Sequence, residues 1–274
     1  MTWINMPQPR IVSLAALLLT ISTIGSAQWI KIPLPDTPRT AKGEPDLNAP
    51  TPKAVDGKPD LSGIWLMVRP PLQRPNGNGR GGLRHNLPPD FEVPLKPFAK
   101  AIWDKRYDVD MGTGRPSGRC LPHTVPDSLF FGPFKLVYTP RLTVILEEEF
   151  NFYRQIHTDG RKHPDKPVPA WFGYSVGAWN GDTLVVDTRG FKIGSWLDYG
   201  WLDDSGIPYT EALHTTERFH RVNFGRMHLD VTIEDPNVFT RPWTFGFDFA
   251  LQPDTELIEN ICENEQDAPH MTAK

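Results

Sequence analysis

Four polar side chains occupy positions from which they can do acid–base chemistry: Arg154, His157, Asp159 and Glu217. Residues 154–161 form the densest polar run at the end of a strand-like segment. Alternation places Phe152, Arg154, Ile156 and Thr158 on one face, and Tyr153, Gln155, His157 and Asp159 on the other. A histidine beside a carboxylate has its imidazolium stabilised, which suits proton transfer near neutral pH. The bland alternative is an Asp159-Gly160 turn next to a satisfied histidine. Farther on, Leu213, Thr215, Glu217 and Phe219 share one parity, so Glu217 is expected to point inward with its apolar neighbours. A carboxylate there needs a partner or a shifted pKa. Arg154 is the expected partner, either in catalysis or in an interior pair that fixes register.

Contacts for a small organic substrate are expected from Tyr174 and Ser175, and from Trp196 and Trp201 in the aromatic, acidic connection 195–204, which reads as a lid. The run Gly173-Tyr174-Ser175-Val176-Gly177, with Asp187 and His214 after it, matches a nucleophile-elbow pattern. The context contradicts it, because an Asn-Gly hairpin follows where that motif needs a helix. Glu147-Glu148-Glu149 reads as a solvated strand end with one member facing inward. Cys120 and Cys262 are an even count suited to a disulfide; ligation of a metal through Cys120-Leu121-Pro122-His123 is the rival reading. No nucleotide loop, haem motif or zinc signature occurs, so neither cofactor nor metal is expected.

The elements that must position these residues read as strands. Residues 226–234 and 243–251 alternate polar and apolar without error. Further strands are expected at 61–68, 131–138, 141–149, 152–158, 171–179, 182–189, 211–222 and 255–262, with one helix at 97–107 carrying Phe98, Ile102 and Lys105 at helical spacing. Asn180-Gly181 predicts a type I′ turn, with 179 opposite 182 and Tyr174 opposite Asp187. Gly63-x-Trp65 on a first strand resembles the opening of lipocalin-type barrels. The expected fold is mainly β, an antiparallel meander closed or nearly closed into a lipocalin-like (calycin-like) barrel, with a two-sheet sandwich as the alternative.

With 274 residues, 39% hydrophobic and 23% charged, the composition is that of a globular chain; its net charge of −4 and lack of a basic stripe exclude a nucleic-acid binder. Residues 1–27 read as a signal peptide cleaved after Ala27, with an apolar core too short to span a bilayer. A Pro-rich arm follows at 28–98, containing the strand 61–68 and a Gly-rich loop at 74–85, and the barrel domain occupies 99–274. Cys120-Leu121-Pro122-His123, Arg154 to Arg161, Trp171 to Val186, Thr216-Glu217-Arg218-Phe219 and Cys262-Glu263-Asn264-Glu265 are together similar to a family of exported bacterial proteins of no established activity. That resemblance, over roughly residues 55–270, implies export and a shared fold and assigns no catalytic residue. The expectation is a periplasmic or secreted enzyme, a hydrolase, lyase or isomerase using acid–base chemistry on a small molecule, without a membrane span after cleavage. The alternative is a non-catalytic carrier of a hydrophobic or aromatic ligand.

Overall fold

Period-two alternation of large apolar residues builds nine strands that close into one barrel. They are β1 (Gly63–Met67), β2 (Phe134–Tyr138), β3 (Leu142–Glu147), β4 (Tyr153–His157), β5 (Tyr174–Asn180), β6 (Thr183–Arg189), β9 (His214–Asn223), β10 (Arg226–Glu234) and β11 (Trp243–Leu251). Between β6 and β9 lies a small two-stranded sheet of β7 (Gly200–Trp201) and β8 (Pro208–Tyr209). The barrel order is β1-β11-β10-β9-β6-β5-β4-β3-β2, and β1 pairs with both β11 and β2. This is a computed structural model, and it describes residues 32–69, 83, 87–88, 90–110 and 113–262. The signal segment 1–27, most of the Gly-rich loop 74–85 and residues 263–265 lie outside the described residues.

Inward positions carry Trp65, Phe134, Phe219, Phe245, Phe247 and Phe249, all buried, so bulky rings occupy the interior. At one end, the floor, tight hairpins join β2 to β3, β5 to β6 and β9 to β10. There Trp65 packs under the Arg221 guanidinium at 5.0 Å. Arg221 donates to the carbonyls of Asp60 (2.5 Å), Ser62 (3.1 Å), Asn223 (3.2 Å) and Phe224 (2.6 Å). Gly63 explains the first letter of Gly-x-Trp: its φ is +146°, and an added Cβ would press on Leu251. The Pro-rich arm wraps this end, held by Arg39, which pairs with both oxygens of Asp254 at 2.6 Å.

The opposite end, the mouth, receives the two long insertions 68–133 and 190–213. The first contains α1 (Pro97–Asp104), which widens into a π-helical turn at Lys105–Val109. Its buried residue is Ala99, whereas Phe98 is exposed, so the helix face differs from the expected one. The Cys120–Cys262 disulfide, with Cα atoms 5.7 Å apart, ties this insertion to the last described residue.

Three expectations need correction. β4 and β5 run parallel, Ile156 opposite Ser175, because the proline-containing connection 158–173 crosses back along the barrel instead of turning tightly. The hairpin pairs Asn180 with Thr183, so its centre is Gly181-Asp182 and Tyr174 faces Arg189, not Asp187. Gly181 has φ +61° and Asp182 is not among the positive-φ residues, the pattern of a type II′ turn with glycine first. Residues 255–262 form no strand; only Asn260 bridges to Glu149.

Candidate functional site

The interior pair expected from strand parity is present. Arg154 and Glu217 are buried, and the guanidinium meets both carboxylate oxygens, one of them through Nη1 to Oε1 at 2.9 Å. Its other hydrogens reach Ser175 Oγ (3.0 and 3.1 Å) and Thr188 Oγ1 (2.9 Å). These contacts use the donors of the fork and leave it bound in one orientation.

His157 and Asp159 are not brought to this pair. His157 stays on the outer face of β4, its ring 5.2 Å from that of Tyr174. Burial and the nearby Arg161 lower its pKa, against the expected stabilisation by Asp159. Asp159 itself is held by Arg161 through contacts of 2.7 and 2.8 Å, which pull its carboxyl to about 2. On the same outer wall, Asp187 binds His214 on one oxygen and lies 2.7 Å from His163 on the other. Ser175 points through the opposite face to Arg154, so Ser175, Asp187 and His214 cannot act as a triad.

The expected lid is packed into the cap over the mouth. Trp201 is buried under Arg106 at 4.6 Å. Trp196 is partly exposed, with Arg119 over it at 5.0 Å and Trp171 at 6.2 Å. Asp203 fastens the loop by accepting from Leu83 N–H (2.7 Å), Ile207 N–H (3.1 Å) and the Ser205 hydroxyl.

Among the described residues, the densest convergence of ionisable groups lies beneath that cap. The short 3-10 turn Asp127–Phe130 and the residues before it bring in His123 and Asp127, the end of β3 brings in Glu147 and Glu149, and the lid brings in Asp204. His123 is buried, stacked on Phe131 at 4.0 Å. Its Nδ1 is 2.9 Å from Asp127 Oδ2 and 3.4 Å from Asp204 Oδ1. Its Nε2 is 3.1 Å from Glu149 Oε2, near but poorly aligned for a hydrogen bond. Asp204 also accepts from Ser117 Oγ at 2.8 Å and lies 3.5 Å from Arg115 Nε, while its backbone N–H donates to Asp127 Oδ2 at 3.1 Å.

Electrostatics set these groups apart. Burial opposes the imidazolium of His123, but Asp204, Asp127 and Glu149 outweigh it and hold the pKa well above the ordinary imidazole value. Burial pushes Asp127 well above the usual carboxylate range, despite its bond to His123. Glu147, 5% exposed, is pushed up to about 7 by burial, opposed by Ser128, His123 and Arg154. Its Oε1 has no hydrogen-bond partner, nor has Oδ1 of Asp127. Glu147 thus feels the charges of both His123 at the cap and Arg154 inside.

Glu147 is the inward-facing member expected of Glu147-Glu148-Glu149, but the strand end is covered by the cap and not solvated. The signal was in the parity: Glu147 follows Thr143 and Ile145 on the inward face of β3, as Glu217 follows Thr215 on β9. His123 lies three residues after a cysteine of the disulfide, and Asp204 at the end of the lid. Nothing in one-dimensional spacing joins those segments, which the barrel closure and the cap bring together. Comparison with protein-family models, with curated proteins and with solved structures finds no match.

Proposed function

We propose that the chain is an exported enzyme that processes a small organic molecule by acid–base chemistry at the capped mouth, as a hydrolase, lyase or isomerase. Glu147 takes and returns the proton. The imidazolium of His123, kept charged by Asp204, Asp127 and Glu149, is the nearby positive charge that meets developing negative charge. The observation that carries this reading is Glu147 itself, a buried carboxyl at the strand end with Oε1 unpartnered and its pKa near 7, where a general base works best. Arg154, locked to Glu217, Ser175 and Thr188, contributes a fixed positive charge behind it. Trp196, beside Arg119 and Trp171, is the partly exposed aromatic of the cap available to a substrate ring.

The apolar segment before Ala27 and the disulfide support export, and no helix among the described residues is long and apolar enough to cross a membrane. The carrier reading calls for an apolar cavity, whereas Trp65, Phe134, Phe219 and Phe249 are fully buried inside the strands. The test is to incubate untagged mature protein with a small-metabolite extract and follow depletion by mass spectrometry. Wild type should consume at least one compound, at a rate that Glu147→Gln lowers by ~10²–10⁴. Equal depletion by both proteins, or none by wild type, overturns the reading.

A further inference from the structure

We infer that His123, Asp127 and Asp204 form a binding site for one first-row divalent cation, of the Mn²⁺ or Zn²⁺ kind. Each residue offers one ligand atom, and the three atoms lie within 4.8 Å of one another, a span one ion can bridge. The orientation of the ring supports it. Nδ1 faces the two aspartates at 2.9 and 3.4 Å, while Nε2 faces Glu149 at 3.1 Å. Nδ1 is hydrogen-bonded to Asp127 Oδ2; an ion that displaces that proton would leave the remaining one on Nε2, beside Glu149, the arrangement that orients metal-bound histidines.

A second observation is independent of the clustering. Asp127 is fully buried, and its Oδ1 has no hydrogen-bond partner. A buried carboxylate oxygen without a donor is costly unless a proton or a cation satisfies it. The surroundings bring in more negative than positive charge: Asp127, Glu149 and Asp204 all approach one imidazole, and Arg115 meets Asp204 at 3.5 Å. One nitrogen with carboxylate oxygens suits Mn²⁺ or Zn²⁺ better than an all-oxygen Ca²⁺ cage or a thiolate site, and both cysteines are committed to the disulfide.

This deepens the reading of the mouth as a working site and rests on that reading for the cation's use, though not for its binding. A cation there supplies the positive charge opposite Glu147. The remaining work of the chain's own residues is unchanged: Asp204 is held by Ser117, and Glu149 lies beside Nε2 of the imidazole.

The test uses untagged mature protein, stripped with a chelator and dialysed, then titrated with Mn²⁺ or Zn²⁺ by calorimetry, with Mn²⁺ also followed by its paramagnetic resonance signal. One ion per chain is expected, with Asp127→Asn and the more accessible Asp204→Asn each weakening binding at least ~10-fold, and Glu149→Gln weakening it ~10–100-fold as a positioning residue. Circular dichroism identifies any variant that fails to fold; Asp204→Asn, at the edge of the cluster, keeps the comparison available. No stoichiometric binding by folded wild type, or equal binding by folded Asp204→Asn and Glu149→Gln, overturns the site. Binding is read without substrate, so a chain that binds no ion but loses turnover in Glu147→Gln refutes the cation and retains the enzyme. A chain that binds the ion but turns nothing over does the reverse.

Discussion

Replacing Arg154 with Met should destabilise the fold by ~3–5 kcal/mol, the usual cost of leaving one member of a buried ion pair alone. Glu217 has no exposed surface, and Arg154 reaches both of its oxygens. Met fills comparable volume, so the loss is electrostatic and not a cavity. Ser175 Oγ and Thr188 Oγ1 are 3.0 Å apart and can bond each other, so they add little to the penalty. The double variant Arg154→Met/Glu217→Leu removes both charges and should return to within ~1 kcal/mol of wild type or exceed it. The cycle should therefore show a coupling of ~3 kcal/mol or more, at the upper end for contacting residues. Urea denaturation followed by tryptophan fluorescence gives all four stabilities. Single variants that each cost under ~1 kcal/mol, or a double that costs their sum, would refute the claim that the pair is desolvated and mutually dependent.

Three further outcomes follow from the geometry. In chelator, stability should fall as pH rises from about 4.5 through about 7, by up to ~3 kcal/mol, because the folded state holds Glu147 protonated longer than the unfolded state does. Glu147→Gln should flatten that slope; an unchanged slope in the variant assigns it elsewhere. Gly181→Val places a β-branched side chain at φ +61° and should lower stability by ~1–3 kcal/mol, and an unchanged denaturation midpoint would contradict the turn geometry. Reducing the Cys120–Cys262 bond, whose residues are 142 apart in sequence, should cost up to ~5 kcal/mol; a thermal midpoint indifferent to reductant would show the bond to be unimportant or unformed.

Strand parity was the most legible property of the sequence. It places Trp243, Phe245, Phe247, Phe249 and Leu251 inside and predicts the Arg154–Glu217 pair, because a one-residue slip would expose the whole face. Turn chemistry was legible only to within its centre. Asn180-Gly181 marked the hairpin, but Asn180 belongs to the closing pair, and the shift moved every cross-strand partner. The parallel β4–β5 contact was not legible, since a proline-rich connection fixes extended backbone but not the direction in which it returns.

The site divides in the same way. His157 and Asp159 share one face of a strand, yet Arg161, two residues beyond, captures Asp159, and the outer face keeps His157. Short-range spacing could not reveal that competition. The His123, Glu147 and Asp204 group comes from segments 24 and 57 residues apart, and only closure of the barrel under its cap assembles it. An inward carboxylate at the end of β3 was its one readable sign.

The most direct test of the mouth as the working centre compares two variants on a compound that wild type consumes: Glu147→Gln beneath the cap and His157→Ala on the outer wall. Both should keep the wild-type circular dichroism spectrum. The account predicts that Glu147→Gln loses ~10²–10⁴ in kcat/KM while His157→Ala stays within a few-fold of wild type. Full activity in Glu147→Gln together with loss in His157→Ala would contradict it and move the chemistry to the outer face.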